Sequence, residues 1–262
     1  MTHHSPLRVA QITDTHLFAD TEEALRGCQT AQTLQAVIQS LQQRSPDPDF
    51  ILLTGDLSQD ETPASYQQLR HLFHACRVPI YWIPGNHDDF RVMHDILNAS
   101  PWISDKSFMQ GGWKFVLLDS TVRGCTHGEL SSQSLEWLDQ QLNDARPHPT
   151  MVVLHHPPLP VGSAWIDELG LHHPQAFQEI LDRHPQVKVV LFGHIHQAFD
   201  IHHRGIRYLA TPSSCVQFKP NSSEFAVDTA SPGFRVLSLY PDGHIETQVE
   251  RVSESCLSQP MR

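Results

Sequence analysis

The sequence predicts a layered α/β fold with mixed sheets. Short apolar runs alternate with helix-period patterns from residue 7 to residue 192. Beyond that point the helical patterns stop, and only short strands follow, separated by Gly and Pro turns. Directly behind several of the strands stand clusters of Asp, Asn and His, where open α/β sheets place their sites.

The elements follow in order. Leu7–Ile12 is an apolar run interrupted by Gln11 and reads as a strand. Leu34, Val37, Ile38 and Leu41 repeat at i, i+3, i+4, i+7, one face of a helix that ends at Pro46-Asp47-Pro48. Phe50–Leu53 is a second strand. Thr62 is placed as an N-cap with Pro63 at the first helical position, and Tyr66, Leu69, Phe73 and Cys76 form that helix's apolar face. Ile80–Ile83 is a strand, and Val92, Met93, Ile96 and Leu97 mark a helix stopped before Pro101. Phe115–Leu118 is a strand, and Leu135, Leu138 and Leu142 a helix opening at Ser131-Ser132. Met151–Leu154 is a strand, Ala176–Leu181 a helix and Val187–Phe192 a strand. The late strands fall near 199–203, 207–209, 234–240 and 244–249 and imply a mixed sheet or a second packed sheet. There is no internal repeat and no obvious linker. One domain is expected, its core at about 7–251, with the terminal SESCLSQPMR mobile.

Composition narrows the function classes. The 262 residues carry 18 basic and 29 acidic groups, a net charge of -11, which repels nucleic acid and anionic lipid. Neither nucleic acid nor a membrane is an expected partner; the oligomeric state is left open. Cysteines at 28, 76, 125, 215 and 256 are odd in number and form no CxxC pair, which argues against a disulfide framework and for a reducing cytoplasm. The first residues carry no signal-peptide pattern. Histidine is abundant, at 19 residues.

Five clusters each follow a strand: Asp14-Thr15-His16, Gly55-Asp56, Gly85-Asn86-His87-Asp88, His155-His156-Pro157 and Gly193-His194-Ile195-His196. A lone Asp-x-His is a common turn or cap, and Gly-Asp alone is a turn signal. Five strands delivering such residues to one rim is a different matter. Two carboxylates, one amide and four imidazoles are too many for one tetrahedral ion. They suit two ions sharing a carboxylate. Mixed N and O donors favour iron, manganese, zinc or cobalt over magnesium or calcium.

In type and order these clusters resemble the calcineurin-like metallophosphoesterase superfamily: D-x-H, G-D, G-N-H-D/E, H-x-P and G-H-x-H. The motifs span residues 14–196. ITDTHLF, TGDLSQD, HGELS, GHIHQ and ATPSSCVQFKP are further similar to the bacterial class III 3',5'-cyclic AMP phosphodiesterases. The resemblance implies a four-layer α/β/β/α sandwich. It implies one divalent ion on Asp14, His16, Asp56 and His196 and a second on Asp56, Asn86, His155 and His194, iron or manganese before zinc or cobalt. His87 is implied as a catalytic residue facing the substrate rather than a ligand, with His16, Asp56, Asn86 and His196 also on the substrate side. The implied reaction is hydrolysis of 3',5'-cyclic AMP to 5'-AMP by a hydroxide bridging the ions; a ribose alkoxide is a poor leaving group, and His87 is the candidate to protonate it or to stabilise its developing charge. The charge of two ions, two carboxylates and a hydroxide leaves the site near about +1, so the ions rather than basic side chains attract the phosphate. Two other readings stand beside it: a broader phosphodiesterase or phosphomonoesterase acting on glycerophosphodiesters or 2',3'-cyclic nucleotides, and a silent protein-binding scaffold, against which the complete ligand set argues.

His156 is left out of the ligand set because in an extended backbone it points away from His155. Asp88 or Asp119 is expected to orient a ligand imidazole. Trp165, in the helix-poor stretch Leu159–His173, and Phe218, in the rim segment Thr211–Pro220, could each contact a base, with packing into the body preferred. Cys215 reads as a small buried residue rather than a nucleophile. His71, His74 and the pairs His172-His173 and His202-His203 read as solvated surface.

Overall fold

The computed structural model describes residues 5–44 and 46–252; the C-terminal SESCLSQPMR lies outside them. The chain runs β1 (Leu7–Ile12), a two-strand ribbon β2 (Ala24–Leu25) and β3 (Cys28–Gln29), α1 (Thr30–Gln42), β4 (Phe50–Thr54), α2 (Pro63–Leu72), β5 (Ile80–Ile83), α3 (Phe90–Ile96) and β6 (Trp102–Ile103). It continues through the hairpin β7 (Ser107–Gln110) and β8 (Trp113–Leu117), then α4 (Ser132–Asp144), β9 (Thr150–Val153), α5 (Ala164–Asp167), α6 (Pro174–Asp182) and β10 (Val187–Phe192). The last part holds β11 (Phe199–His203), β12 (Ile206–Ala210), the short pair β13 (Gln217–Phe218) and β14 (Val227–Asp228), β15 (Gly233–Leu239) and β16 (Ile245–Arg251).

Two six-stranded mixed sheets result, in the orders β16-β15-β1-β4-β5-β6 and β11-β12-β10-β9-β8-β7. In the first, β1, β4, β5 and β6 are parallel and β15 and β16 close one edge antiparallel. In the second, β8, β9, β10 and β12 are parallel and the edges β7 and β11 are antiparallel. The late strands therefore divide between the sheets.

Side-chain alternation sorts each strand between two cores. Val9, Phe50 and Leu52 face the second sheet and meet Phe115, Met151, Val153, Val189 and Leu191 there. Ala10, Ile12, Ile51 and Leu53 face outward, under Leu34, Val37, Ile38 and Leu41 of α1 and Tyr66 and Leu69 of α2. On the far side Val152, Val190 and Phe192 pack under Leu138 and Leu142 of α4 and Phe177, Ile180 and Leu181 of α6. Four layers, α/β/β/α, are thus built on three apolar cores. The α2 start is as the sequence suggested: Thr62 accepts from the Ser65 N–H at 3.2 Å, with Pro63 next.

Gln11, the break in the first strand, is fully buried and ties the sheets together. Its amide donates to Thr54 Oγ1 at 2.8 Å and to the Phe192 carbonyl at 3.0 Å, and its oxygen accepts from Thr211. Gln11→Ala takes this partner from Thr54 Oγ1 and the Phe192 carbonyl, while Thr211 Oγ1 keeps its bond from Arg235 Nε. It should cost about 3 kcal/mol of stability, read as a lower urea midpoint at unchanged slope.

Candidate metal centre

All five clusters come to the carboxyl ends of the parallel strands. Asp14 and His16 follow β1, Asp56 follows β4, and Asn86 and His87 follow β5; His155 follows β9, and His194 and His196 follow β10. The loops stay paired past the strand ends: Asp14 N–H donates to Gly55 O at 3.0 Å, His16 N–H to Asp56 O at 2.9 Å, and Gly193 N–H to His155 O at 3.1 Å. The two sheets contribute facing halves of one site.

The backbone is strained where the side chains converge. Asp14, His16, Asp56, His194 and His196 have φ of 54°, 46°, 50°, 68° and 50°, half of the ten non-glycine residues with positive φ among those described. Each such conformation costs about 1–3 kcal/mol and persists where the surroundings dictate it, as at functional sites.

The donor atoms interlock. His16 Nε2 lies 3.1 Å from His196 Nε2, and His196 Nε2 lies 3.4 Å from Asp14 Oδ1. His155 Nε2 lies 3.3 Å from His194 Nδ1. Asp56 Oδ2 stands between the halves, 3.7 Å from His16 Nε2 and 3.4 Å from His155 Nε2. Donor atoms of Asp14, His16 and His196, and of Asp14, Asp56 and His155, lie within 4.8 Å of one another. Asn86 Oδ1 and His194 Nε2 are buried with no hydrogen-bond partner. Such groups cost free energy unless something else satisfies them, so the donor set fits a pair of divalent cations.

Outer partners hold three imidazoles by the remote nitrogen. His16 Nδ1 faces Gln59 Oε1, His155 Nδ1 faces Thr54 O and His196 Nδ1 faces Val216 O, each at 2.8 Å. With the proton on Nδ1, Nε2 keeps its lone pair for a cation. No carboxylate plays this part. Asp119 binds Thr121 in its own turn. Asp88 accepts from the Gly85, Leu57 and Ser58 N–H groups at 2.9–3.1 Å and from Tyr66 Oη at 3.0 Å, clamping the Asp56 and Asn86 loops to each other. The expectation that Asp88 or Asp119 orients an imidazole is corrected: Asp88 orients backbone.

The reason for setting His156 aside also fails. The chain bends after β9, and the His156 ring sits 4.8 Å from that of His194. Its Nδ1 pairs with Ser120 Oγ at 2.8 Å. Its Nε2 has no partner, and His155, His156 and His194 form a further cluster of possible ligands.

Glycines make the close approach possible. A Cβ on Gly85 would collide with the Asp56 carboxylate and lie 2.8 Å from His155 Cε1. Gly85→Ala should therefore displace Asp56 or His155 and weaken cation binding about 10–100-fold, measured by competition with a metallochromic chelator.

Protonation follows burial and charge. Burial pulls His16 down to about 4 and His194 down to about 3, so both are neutral and ready to donate. Burial would raise Asp56, but His155, His16 and His87 hold it well below the usual carboxylate range. Burial also opposes a charge on His155, yet the Asp56 charge and hydrogen bond, the Asp14 charge and the Thr54 carbonyl outweigh it and bring His155 to about 9. A raised value stabilises the cation-free fold fully below pH 6.5, and that contribution is lost as pH rises through about 9. Lys106, buried down to about 7, acts in the opposite sense over part of the same window, so melting points mix the two. Cation affinity reads the His155 proton more directly, because that proton must leave before Nε2 can bind. Affinity should rise about tenfold per pH unit from pH 7 and level off near 9, read by calorimetry in buffers of different ionisation enthalpy.

The segment 211–220 supports the site from behind. Ser213 Oγ donates to Asp14 O at 2.7 Å, and Ser214 N–H to Thr13 O at 3.1 Å. Phe218 stacks on His196 at 4.0 Å and 5°, and Trp165 sets its edge against Phe218 at 5.2 Å. Both aromatics are engaged by the protein. Trp165 lies on the short α5, which sequence reading did not anticipate. Cys215 is buried, and burial pushes its thiol well up, away from nucleophile chemistry. His71, His74, His172, His173, His202 and His203 are exposed. Cys28, Cys76, Cys125 and Cys215 are free thiols. No helix among the described residues is long and apolar enough to cross a membrane. Beside Asn86 a cleft of about 310 Å³ opens between Asp88–Arg91 on one side and Asp119 and Thr121–Gly124 on the other.

Fold and site together define a metallophosphoesterase, and comparison with known proteins agrees. The chain belongs to the calcineurin-like phosphoesterase family, whose profile matches residues 7–198. It is 45% identical over 260 residues to a 3',5'-cyclic-nucleotide phosphodiesterase of Nostoc sp., covering 99% of this chain and 98% of that one. It is 44% identical over 250 residues to the 3',5'-cyclic adenosine monophosphate phosphodiesterase CpdA of Escherichia coli, covering 95% and 91%. Among solved structures, a dimetal phosphatase from Danio rerio superposes with a TM-score of 0.70 at 18% identity, covering 95% of this chain and 100% of that one, a likeness of fold.

Proposed function

We propose that the chain, as one domain spanning about residues 7–251 and working in the cytoplasm, hydrolyses 3',5'-cyclic AMP to 5'-AMP with two divalent cations, iron or manganese. The observation that carries this reading is near-full-length identity of 44–45% to two cyclic nucleotide phosphodiesterases, joined to the convergence of the Asp, Asn and His donors. Asp14, His16, Asp56 and His196 would hold one cation, and Asp56, Asn86, His155 and His194 the other. When bound, the pair supplies Lewis acidity that acidifies the attacking water and neutralises phosphoryl charge.

The protein's own groups do the rest. Asp56 fixes the spacing of the halves, and its Oδ1 accepts the His87 N–H at 2.9 Å, which ties His87 to the shared carboxylate. The His87 ring is half-buried, 5.2 Å from that of His16. As water attacks phosphorus and gives up a proton the P–O3' bond breaks, His87 donates a proton to the departing ribose oxygen, and the proton released by the water restores the ring. The cleft beside Asn86 offers room for the nucleoside.

The test is to load purified protein with manganese or iron and assay 3',5'-cyclic AMP, 2',3'-cyclic AMP and bis-p-nitrophenyl phosphate in parallel. Preference for the 3',5'-cyclic nucleotide is the expected result. Better turnover of the generic diester would leave the metal centre in place and remove the cyclic nucleotide reading.

A further inference from the structure

We propose that Gln59 is a positioning residue that sets the tautomers of His16 and His87 together. Its side chain stands between the two rings. Oε1 lies 2.8 Å from His16 Nδ1, and Nε2 lies 3.2 Å from His87 Nδ1. An amide has one accepting and one donating end, so its orientation decides both rings at once.

The His16 end settles that orientation. His16 Nε2 faces Asp56 Oδ2 at 3.7 Å and His196 Nε2 at 3.1 Å, inside the donor cluster. A nitrogen that binds a cation must keep its lone pair. The His16 proton therefore sits on Nδ1 and is donated to Gln59 Oε1. The amide N–H then points at His87, whose Nδ1 accepts. Neutral His87 is left with its proton on Nε2. This separates His87 from the ligands, although its donor atom lies within 4.8 Å of those of His16 and Asp56. With Nδ1 taken by the amide N–H, Nε2–H is the group that His87 can offer to the departing oxygen.

The backbone delivers Gln59 to this place. Its N–H donates to Leu17 O at 2.8 Å, and Leu17 N–H donates to Leu57 O at 3.1 Å, so Gln59 is fastened to the strand end that carries His16. The next residue, Asp60, accepts from Ala19 N–H at 2.7 Å and Thr62 N–H at 3.1 Å and fixes the turn. A glutamine held this tightly between two imidazoles transmits the protonation pattern of a ligand to the residue beside the substrate.

The kinetic part of this inference rests on the reading of His87 as proton donor; the spectroscopic part does not. Zinc-loaded protein with ¹⁵N-labelled histidine is examined by long-range ¹H–¹⁵N correlation. The expected spectrum has His16 protonated at Nδ1 and His87 at Nε2. In Gln59→Met, of similar length without a hydrogen-bonding end, His87 should become a mixture of tautomers. At saturating metal, kcat should fall about 10- to 100-fold while KM and the thermal midpoint hold. A wild-type His87 proton on Nδ1, a zinc-bound His87, or a His87 tautomer unchanged in Gln59→Met overturns the proposal whatever the activity. A rise in KM at constant kcat also overturns it. If no phosphodiester is turned over, the functional reading fails and the wild-type spectrum still decides the role of Gln59.

Discussion

Asp56→Ala should lose bound metal and essentially all turnover. The drop should exceed the roughly 10–100-fold that follows loss of an outer partner, because Asp56 touches both halves of the site. Its Oδ2 stands 3.7 Å from His16 Nε2 and 3.4 Å from His155 Nε2, and its Oδ1 accepts the His87 N–H. Without it, His155 loses the charge that raises it to about 9 and faces His194 at 3.3 Å across a buried space. Asp56→Asn is the sharper companion. Asn tolerates the left-handed backbone that Asp56 adopts at φ 50° and keeps an oxygen for His87. It removes the charge and puts an amide NH2 where Oδ2 faced His16 and His155, so the fold should persist while metal content falls. Elemental analysis per chain and kcat on the same preparations check both variants. Two ions per chain with more than a tenth of the turnover would take Asp56 out of the shared position.

The donor side chains were legible in the sequence because each sits one to four residues past an apolar run. A strand end fixes its neighbours in space, so Asp14, Asp56, Asn86, His155 and His194 could be placed on one rim from local pattern alone. Their support could not. Gln59, the Asp88–Tyr66 clamp, and the Val216 and Thr54 carbonyls act across the fold, and a hydrogen bond between residues 43 positions apart, as between His16 and Gln59, leaves no periodic trace. His156 was misplaced for a related reason. Reading the strand as extended past β9 sends the second imidazole away, whereas the chain bends there and keeps it beside His194.

The two sheets show the same division. The central strands were readable because they are apolar on both faces, as parallel strands between layers must be. The edge strand β7, Ser-Phe-Met-Gln, mixes polar and apolar residues and was missed, although the Gly111-Gly112 pair behind it, at φ 58° and 84°, is a tight hairpin signal. Which late strand joins which sheet depends on long-range pairing, such as β15 with β1 and β12 with β10. No local pattern encodes that choice.

His87→Ala should reduce kcat for 3',5'-cyclic AMP by about 10²–10⁴-fold, the usual contribution of a positioned general acid, while metal content stays at the wild-type value. The structure separates the two effects. His87 meets Asp56 through its backbone N–H, which alanine retains, and its ring nitrogen Nδ1 is engaged by Gln59 rather than by the donor cluster. Leaving-group chemistry supplies the sharper comparison. A ribose alkoxide is a poor leaving group and needs a proton, whereas p-nitrophenolate departs without one. Bis-p-nitrophenyl phosphate should therefore lose far less turnover in His87→Ala than cyclic AMP does. Equal losses on both substrates would assign His87 to phosphoryl binding instead of proton transfer, and a collapse in bound metal would make it a ligand.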